Sequence, residues 1–294
     1  MKKIIAIALS LVMMLGAASL LTSCDQPAEL VALDAVDLIK EDFGIAIKKG
    51  DTKLADMVNE VVEEWVADGT MTKYVDYYDA LAKGETPDAN GLQTTWNFGK
   101  ATETITVYTE SGFAPFEFIY NGEVIGVDIA IMSEVAERNG MKIDVKDVLF
   151  DTITTCVKGH NGYAVGAAGL TINDERKKEV DFSSIYYSST LVIVSAKDKS
   201  ISSVKDLDGL TVGVQEGTSG DLIITAAKSA KGYVFTDWDE NDNEIEKSVK
   251  VSSDTVIKQY KQYSLALADL KAGRIDAILM DKLPALTMLA VSEN

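Results

Sequence analysis

Short apolar runs alternate with longer segments of helical spacing through most of the chain beyond residue 40. Residues 43–50 predict a strand that ends in a turn. Asp51 or Thr52 predicts the start of a helix, whose apolar face would consist of Leu54, Val58, Val61, Val62 and Trp65. A second, short helix is predicted after Gly69, with apolar positions at Met71, Tyr74, Val75 and Tyr78.

The alternation of strand and helix continues from residue 104. Strands are predicted near residues 104–108, 143–149, 164–169, 190–196, 211–215 and 275–280. Residues 126–140 predict a helix that Asn139 and Gly140 would end, with an apolar face at Ile129, Met132, Val135 and Ala136. This order of elements predicts an α/β fold with two sheets.

The N-terminal residues have the features of an export signal. Two lysines precede a mostly apolar run at residues 4–21, and small residues follow it. A membrane-spanning helix is the alternative, but the short run and its small-residue exit favour a signal peptide over residues 1–23.

Cys24 directly follows Leu21, Thr22 and Ser23, an arrangement that resembles the bacterial lipoprotein box. The resemblance implies cleavage before Cys24, lipid on its sulfur and a tether over residues 24–28. We therefore expect an exported protein, anchored by lipid to the cell membrane and facing the extracellular or periplasmic side.

Composition excludes several classes of function. The formal net charge of −18 argues against nucleic acid and anionic surfaces as partners, and the 47% hydrophobic content argues against wholesale disorder. If Cys24 carries lipid, Cys156 has no disulfide partner, and a core thiol is favoured over a nucleophile. With His160 as the single histidine, a Ser-His triad or multi-His metal site is hard to build, so no catalytic residue, cofactor or metal is predicted.

Residues 167–182 contain the strongest candidate for a binding site. An apolar run ends at Thr171, and Arg176 lies where Asn173 or Asp174 could begin a helical turn. A guanidinium fork, a hydroxyl and helix-start N–H groups could together hold a carboxylate. A strand, a turn and a surface arginine would be the structural alternative for these residues alone.

This stretch resembles the central block of the amino-acid-binding proteins of bacterial ABC importers, known as solute-binding protein family 3. The blocks Phe113-Ala-Pro-Phe-Glu-Phe118, residues 204–209, 213–219 and 274–281 resemble the same family in the same order. The resemblance implies a two-lobed, periplasmic-binding-protein-like (type II) fold. It also implies a free amino acid as ligand.

The resemblance assigns residues to the two ends of such a ligand. Its carboxylate would be bound by Arg176, Thr171, Thr218 and Ser219. Its ammonium would be bound by Asp281, with Gly169 and Thr171 as further acceptors. Around the ligand side chain the resemblance places Phe113, Phe150, Glu110, Gln215 and Met280. A core role is the alternative for both phenylalanines, and Gln215 and Met280 differ from the glutamine-binding members.

The order of segments departs from that family. Residues 43–50 and the helix after them resemble the segment that usually closes these proteins, whereas the usual opening begins only after residue 103. We therefore expect a circular permutation, with new ends between Asn294 and Glu29 and a linker at residues 79–103. A fusion of two truncated proteins is the alternative.

The permuted order predicts a domain plan. Lobe 1 would comprise residues 49–78 and 104–187, and lobe 2 residues 29–43 and 195–294, with hinge strands near 43–48 and 187–196. Within lobe 2, the acidic residues 237–244 raise the question of calcium, but they lack the sixth-position glycine of an EF-hand loop, so a solvated hairpin tip is favoured.

These observations predict a lipid-anchored receptor that delivers a polar amino acid to an ABC importer permease, with cationic and amide side chains among the candidates. We expect it to be a monomer and not an enzyme. Two alternatives remain. One is an enzyme of the same fold, dehydratase-like or cleaving cell-wall glycans, for which Glu110 is the one candidate group. The other is an extracellular sensory module.

Overall fold

The computed structural model describes residues 29–34, 39–89, 91–238 and 244–292. The predicted signal peptide, Cys24 and most of the acidic segment 237–244 lie outside the residues whose side chains are described. Among the described helices, none combines the length and the apolar character needed to cross a membrane.

The first of two large sheets forms lobe 1. Its strands lie in the order β10 (Val180–Phe182), β3 (Ala46–Lys48), β9 (Tyr163–Gly166), β4 (Thr104–Thr109) and β8 (Lys142–Asp147). Strand β4 runs parallel to β8 and β9, whereas β3 is antiparallel to β9 and β10. Three helices cover this sheet: α3 (Val127–Arg138), α4 (Ile153–Gly159) and α5 (Asp174–Glu179).

The second large sheet forms lobe 2. Its strands lie in the order β1 (Leu30–Leu33), β11 (Tyr187–Ala196), β16 (Ala277–Asp281), β12 (Thr211–Gln215) and β15 (Val256–Tyr260), and β2 (Lys40–Phe43) also pairs with β11. Helices α6 (Ser219–Ala227), α7 (Tyr263–Lys271) and α8 (Lys282–Ser292) pack on it. Smaller sheets are formed by β5 (Gly112–Phe113), β6 (Glu117–Tyr120) and β7 (Glu123–Ile125), and by β13 (Tyr233–Trp238) with β14 (Glu244–Val249).

The amphipathic helices predicted at the start of the described chain are confirmed. Helix α1 (Thr52–Ala67) begins at Asp51, whose side chain accepts a hydrogen bond from the backbone N–H of Leu54. All five residues of its predicted apolar face are buried, as are the four of α2 (Thr70–Ala82). Both helices pack against α3, so they complete the core of lobe 1.

The predicted linker over residues 79–103 begins later in the structure, because α2 continues to Ala82 and its last apolar residues pack on the core. Trp96 and Phe98 also pack against that core, as their apolar character suggested, and the indole of Trp96 donates to Glu134 at 3.0 Å. Part of the segment therefore stabilises lobe 1.

The described chain passes between the two large sheets at two adjacent places, from β2 into β3 and from β10 into β11. Strands β2 and β11 pair there with Phe43 opposite Tyr187, so the two crossings lie side by side. All of β11 belongs to the lobe 2 sheet, and all of β3 belongs to the lobe 1 sheet. The chain therefore crosses between the lobes in the short segments that precede these two strands.

Candidate functional site

The candidate site lies where the two lobes face each other. Thr171 follows strand β9, Ser219 opens helix α6 after strand β12, and Asp281 ends strand β16. The ends of strands that face a crevice are where open α/β sheets bind ligands. The fold therefore brings polar side chains from both lobes to one place.

Arg176 is held at this place by the start of a short helix. Asn173 caps α5, with its side chain accepting from the backbone N–H of Arg176 at 2.8 Å. The Arg176 side chain is 9% exposed and donates from Nη1 to the carbonyl of Thr171 at 2.7 Å and from Nη2 to the carbonyl of Gly217 at 3.1 Å. Gly217 belongs to lobe 2, so the guanidinium spans the gap between the lobes.

The electrostatic environment of Arg176 keeps it charged. Burial lowers its pKa to about 10, while the nearby carboxyl groups of Glu41 and Asp281 act in the opposite direction. Its guanidinium carbon also lies 5.3 Å from the centroid of the Phe150 ring. At neutral pH the group is a buried cation with a planar fork, suited to a carboxylate.

Hydroxyl groups of both lobes meet beside this guanidinium. The Thr171 and Ser219 hydroxyl oxygens are 2.9 Å apart, and this contact joins lobe 1 to the first turn of α6. The hydroxyl of Thr218 has a different task, because it donates to the carbonyl of Gln215 and accepts from the N–H of Asp221 as the cap of α6. Thr218 therefore positions the helix start.

Asp281 is the acid that the lobe 2 sheet contributes. It is 5% exposed, and its Oδ1 atom has no hydrogen-bond partner within the described ranges of the chain. Burial raises the pKa of Asp281 to about 6, an effect that hydrogen bonds with Ser189 and Glu41 and the charge of Arg176 partly offset. A buried acceptor with a free oxygen is suited to an ammonium group.

Glu41 is a second buried acid that sequence reasoning missed. It is 4% exposed on strand β2, and burial, followed by the charge of Asp281, raises its pKa well above the usual range. Arg176 and the Ser219 hydroxyl oppose that rise. Residues 30–40 show no clear hydrophobic period, so no face of a strand or helix could be assigned to Glu41 from the sequence.

Glu110, one of the residues predicted around the ligand side chain, contacts residues of both lobes. Glu110 is 2% exposed and accepts from the amides of Gln215 at 2.9 Å and Gln262 at 2.8 Å, so it bridges the lobes. Burial raises the pKa of Glu110, and the two amide donors lower it. Gln262 had not been predicted.

The aromatic candidates differ in their surroundings. Phe113 is buried and its ring stacks near Tyr263 of lobe 2, with centroids 6.3 Å apart. Phe150 is only partly buried and lies beside Arg176. Met280, by contrast, packs into the apolar core, because it lies on the face of β16 opposite to Asp281. The structure thus gives Met280 a role in the core.

Gly169 occupies a position that requires glycine. Its φ of +54° is in the left-handed region, and an added Cβ would lie 2.6 Å from the Phe113 ring. Its N–H donates to the buried carboxylate of Asp128 at 3.0 Å, which fixes the turn between β9 and Thr171. The sharp turn at Gly169 therefore places Thr171 at the gap between the lobes.

The described residues contain no cluster of three or more His, Cys, Asp or Glu side chains that could hold a metal ion. The predicted lipidation site Cys24 lies outside the described part of the chain. The predicted hairpin tip at residues 237–244 likewise falls mostly outside it, although its flanking strands β13 and β14 do pair antiparallel.

Comparison with known proteins decides the family. The sequence model of the bacterial extracellular solute-binding proteins, family 3, matches residues 105–281. The chain belongs to this family. The match begins within strand β4 and ends at the last residue of strand β16. Glu110 directly follows β4, and Asp281 is the last residue of β16.

Curated relatives of this family 3 member are named as binding proteins. The arginine-binding extracellular protein ArtP of Bacillus subtilis is 40% identical over 110 residues, which cover 37% of this chain and 43% of the relative. A probable histidine-binding protein of Campylobacter jejuni is 28% identical over 195 residues, 66% of each chain. The matches span 43% to 66% of the length of the first three curated relatives.

Solved structures confirm the predicted two-lobed α/β fold of the binding-protein type. An ancestral arginine-binding protein bound to arginine aligns with a TM-score of 0.54 and 31% identity, covering 65% of this chain and 75% of that chain. The arginine-bound, truncated ArgBP from T. maritima aligns with a TM-score of 0.52 and 30% identity, covering 65% and 78%.

Proposed function

We propose that this protein binds a free amino acid between its lobes and presents it to an ABC importer. The observation that carries the proposal is the convergence of Arg176 from lobe 1 and Asp281 from lobe 2 in one buried cluster. An α-amino acid has a carboxylate and an ammonium on one carbon, and these two side chains complement both. Names of relatives that refer to arginine, histidine and glutamine support a polar or cationic ligand.

In this proposal the ligand holds the lobes together. The carboxylate binds Arg176, with Thr171 and Ser219 as hydroxyl partners, and the ammonium binds Asp281. A ligand that contacts both lobes favours the closed arrangement by its differential affinity for it. The contacts Thr171–Ser219, Arg176–Gly217 and Glu110–Gln215 already join the lobes and would add to that preference.

We infer binding without catalysis. Relatives named by the comparisons are binding proteins. Glu110, the one candidate catalytic group from the sequence, has both carboxylate oxygens engaged by amide donors. A general acid or base would need an oxygen free to exchange a proton with a substrate.

A thermal-unfolding panel with the twenty common amino acids tests the proposed function. A ligand at a hundredfold excess over its Kd stabilises the folded protein by about 2.7 kcal/mol. We expect one or a few polar amino acids to raise the Tm and the apolar ones to leave it unchanged. If none of the amino acids changes the Tm, the result contradicts the proposal.

The raised pKa of Asp281 predicts a pH-dependent affinity. The ammonium group binds the ionised carboxylate, so protonation competes with the ligand once the pH falls below the pKa of about 6. We expect the Kd to be nearly constant above about pH 7 and to rise about tenfold by about pH 5. Calorimetric titration across this pH range measures the Kd. An Asp281→Asn variant should show weaker binding and a shallower slope, since Glu41 still titrates beside it, and a flat wild-type profile would contradict this role.

We also propose that the chain is circularly permuted within its family. The family match begins at residue 105, whereas residues 29–82 supply strands and helices to both lobes from in front of it. Helix α8 packs on β1 and β11, and Lys282 forms an ion pair with Asp34 at 2.8 Å. Residues of the last helix and of the first described strand are therefore neighbours in the structure, although they are far apart in the sequence.

Reordering the gene tests the permutation. A variant that starts at residue 104, runs to 294 and continues directly into residues 29–103 keeps every contact of the described fold. We expect it to fold and to bind the same amino acid with a Kd within about threefold, since loop entropy changes slowly with connection length. A reordered chain that lacks cooperative unfolding would contradict the permutation.

The N-terminal sequence supports a lipid anchor at Cys24 and a location at the outer face of the membrane. A Cys24→Ala variant tests the anchor, because its thiol can no longer accept lipid. We expect this variant to leave the membrane fraction, whereas a Cys156→Ala control should remain there. Retention of both variants in the membrane would argue for an uncleaved span.

A further inference from the structure

Glu41 is a buried acid beside the candidate site that the proposed contacts with the ligand do not use. It lies on β2 opposite Ser189 of β11, at the pair of strands where the chain passes between the lobes. Its Oε2 atom has no hydrogen-bond partner among the side chains and backbone that the structure describes. An unsatisfied buried carboxylate is costly, so a position such as this one calls for a partner from outside the chain.

Glu41 faces a cavity between the lobes. The cavity has a volume of about 670 Å³, and Glu41, Thr171 and Ser219 line its inner end. Further out its lining includes the acids Asp174 and Glu175 on one side and Tyr233 on the other. Lys40 and Lys177 also line it, both on the exposed side. There is room here for an amino-acid side chain.

The charge balance of the inner cluster depends on Glu41. In the empty site, burial and the charge of Asp281 raise the pKa of Glu41 well above its usual range and so favour its neutral form, which leaves Asp281 to balance Arg176. A zwitterion with a neutral side chain keeps this balance, whereas a cationic side chain would favour the ionised form of Glu41 and pair with it. Buried charge is tolerated when paired and costly when unpaired.

Resting on the proposed function, we propose that Glu41 binds the cationic side chain of the ligand and makes this site selective for basic amino acids. Asp281 then holds the α-ammonium, and the side chain extends toward Glu41 and its cavity. Glu110 is a poorer partner for that cation, because the amides of Gln215 and Gln262 already donate to its two oxygens. This assignment differs from the one that family resemblance implied for Glu110.

Paired ligands and a conservative variant test the proposal. Arginine and citrulline have almost the same shape and differ in side-chain charge, so their affinity ratio reports the charge contact. In wild-type protein we expect calorimetry to give a preference for arginine of roughly thirtyfold or more. Glu41→Gln keeps the size and hydrogen bonding of a neutral carboxyl group and should weaken arginine binding about tenfold or more, with citrulline changed less than about threefold.

The control is Glu179→Gln, which removes the same charge from the outer end of α5, where the side chain is paired with Lys158. Both affinities should stay at wild-type values in this control. Equal losses for arginine and citrulline in Glu41→Gln, or no loss for either, would overturn the role of Glu41 while leaving amino-acid binding intact. Failure of wild-type protein to bind any amino acid would overturn the proposed function itself, and this proposal with it.

Discussion

Arg176→Ala is expected to weaken amino-acid binding by about 3 kcal/mol or more, roughly a hundredfold or greater loss in affinity. The guanidinium is 9% exposed and spans the lobes through the carbonyls of Thr171 and Gly217. Its removal would leave the ligand carboxylate without a cation. It would also leave Glu41 and Asp281 without their positive neighbour. Calorimetric titration of the wild-type and variant proteins measures the difference.

Two further variants separate the guanidinium fork from its charge. Arg176→Lys keeps one positive charge but loses the planar pair of donors, so an intermediate affinity is expected. Lys178→Ala removes a charge from the same helix at an exposed position that does not line the cavity between the lobes, and should bind as the wild type does. If Arg176→Ala binds with unchanged affinity, the guanidinium has no part in the site.

Asp281→Asn should weaken binding by about 2 to 3 kcal/mol, because the α-ammonium would lose a buried anion that retains a free oxygen in the unliganded protein. The amide nearly preserves the shape of the side chain, so the loss reports charge. Its stability should change little or increase at neutral pH, since burial already disfavours the ionised form of Asp281.

A ligand analogue provides the matched control for Asp281. A compound that lacks the α-amino group cannot use the Asp281 carboxylate, so wild type and Asp281→Asn should bind it with similar, weak affinity. If the variant instead loses the same free energy with both compounds, Asp281 acts through the fold of the site and does not contact the ammonium.

Local patterns predicted much of the fold. The Asp51 cap and the apolar face of α1 are properties of adjacent residues, and the structure confirms both. Asn173 caps the turn that carries Arg176 for the same reason. These features follow from hydrogen bonds and periodicity within one segment, so a single sequence contains the information needed.

Contacts between distant segments were harder to predict. Glu41 and Asp281 are 240 positions apart in the numbering and meet only because β2 and β16 both pair with β11. Gln262 reaches Glu110 from the other lobe in a similar way. Family resemblance placed Met280 beside the ligand side chain, whereas in the structure Met280 is buried in the apolar core.

The order of segments along the chain was likewise predictable only in part. The family resemblance predicted which lobe each early segment joins, yet it did not predict which strands that segment pairs with. In the structure, β1 and β2 pair with β11, and β3 pairs with β9 and β10. These pairings join segments that are distant in the sequence, and they support the proposed permutation.

The most direct test of the central proposal is a crystal structure of the protein with L-arginine bound. We expect the ligand carboxylate within hydrogen-bond distance, about 3 Å, of the Arg176 guanidinium, and the α-ammonium at the same distance from Asp281. Arginine bound elsewhere, or bound in this cleft with neither group in contact, would contradict the account.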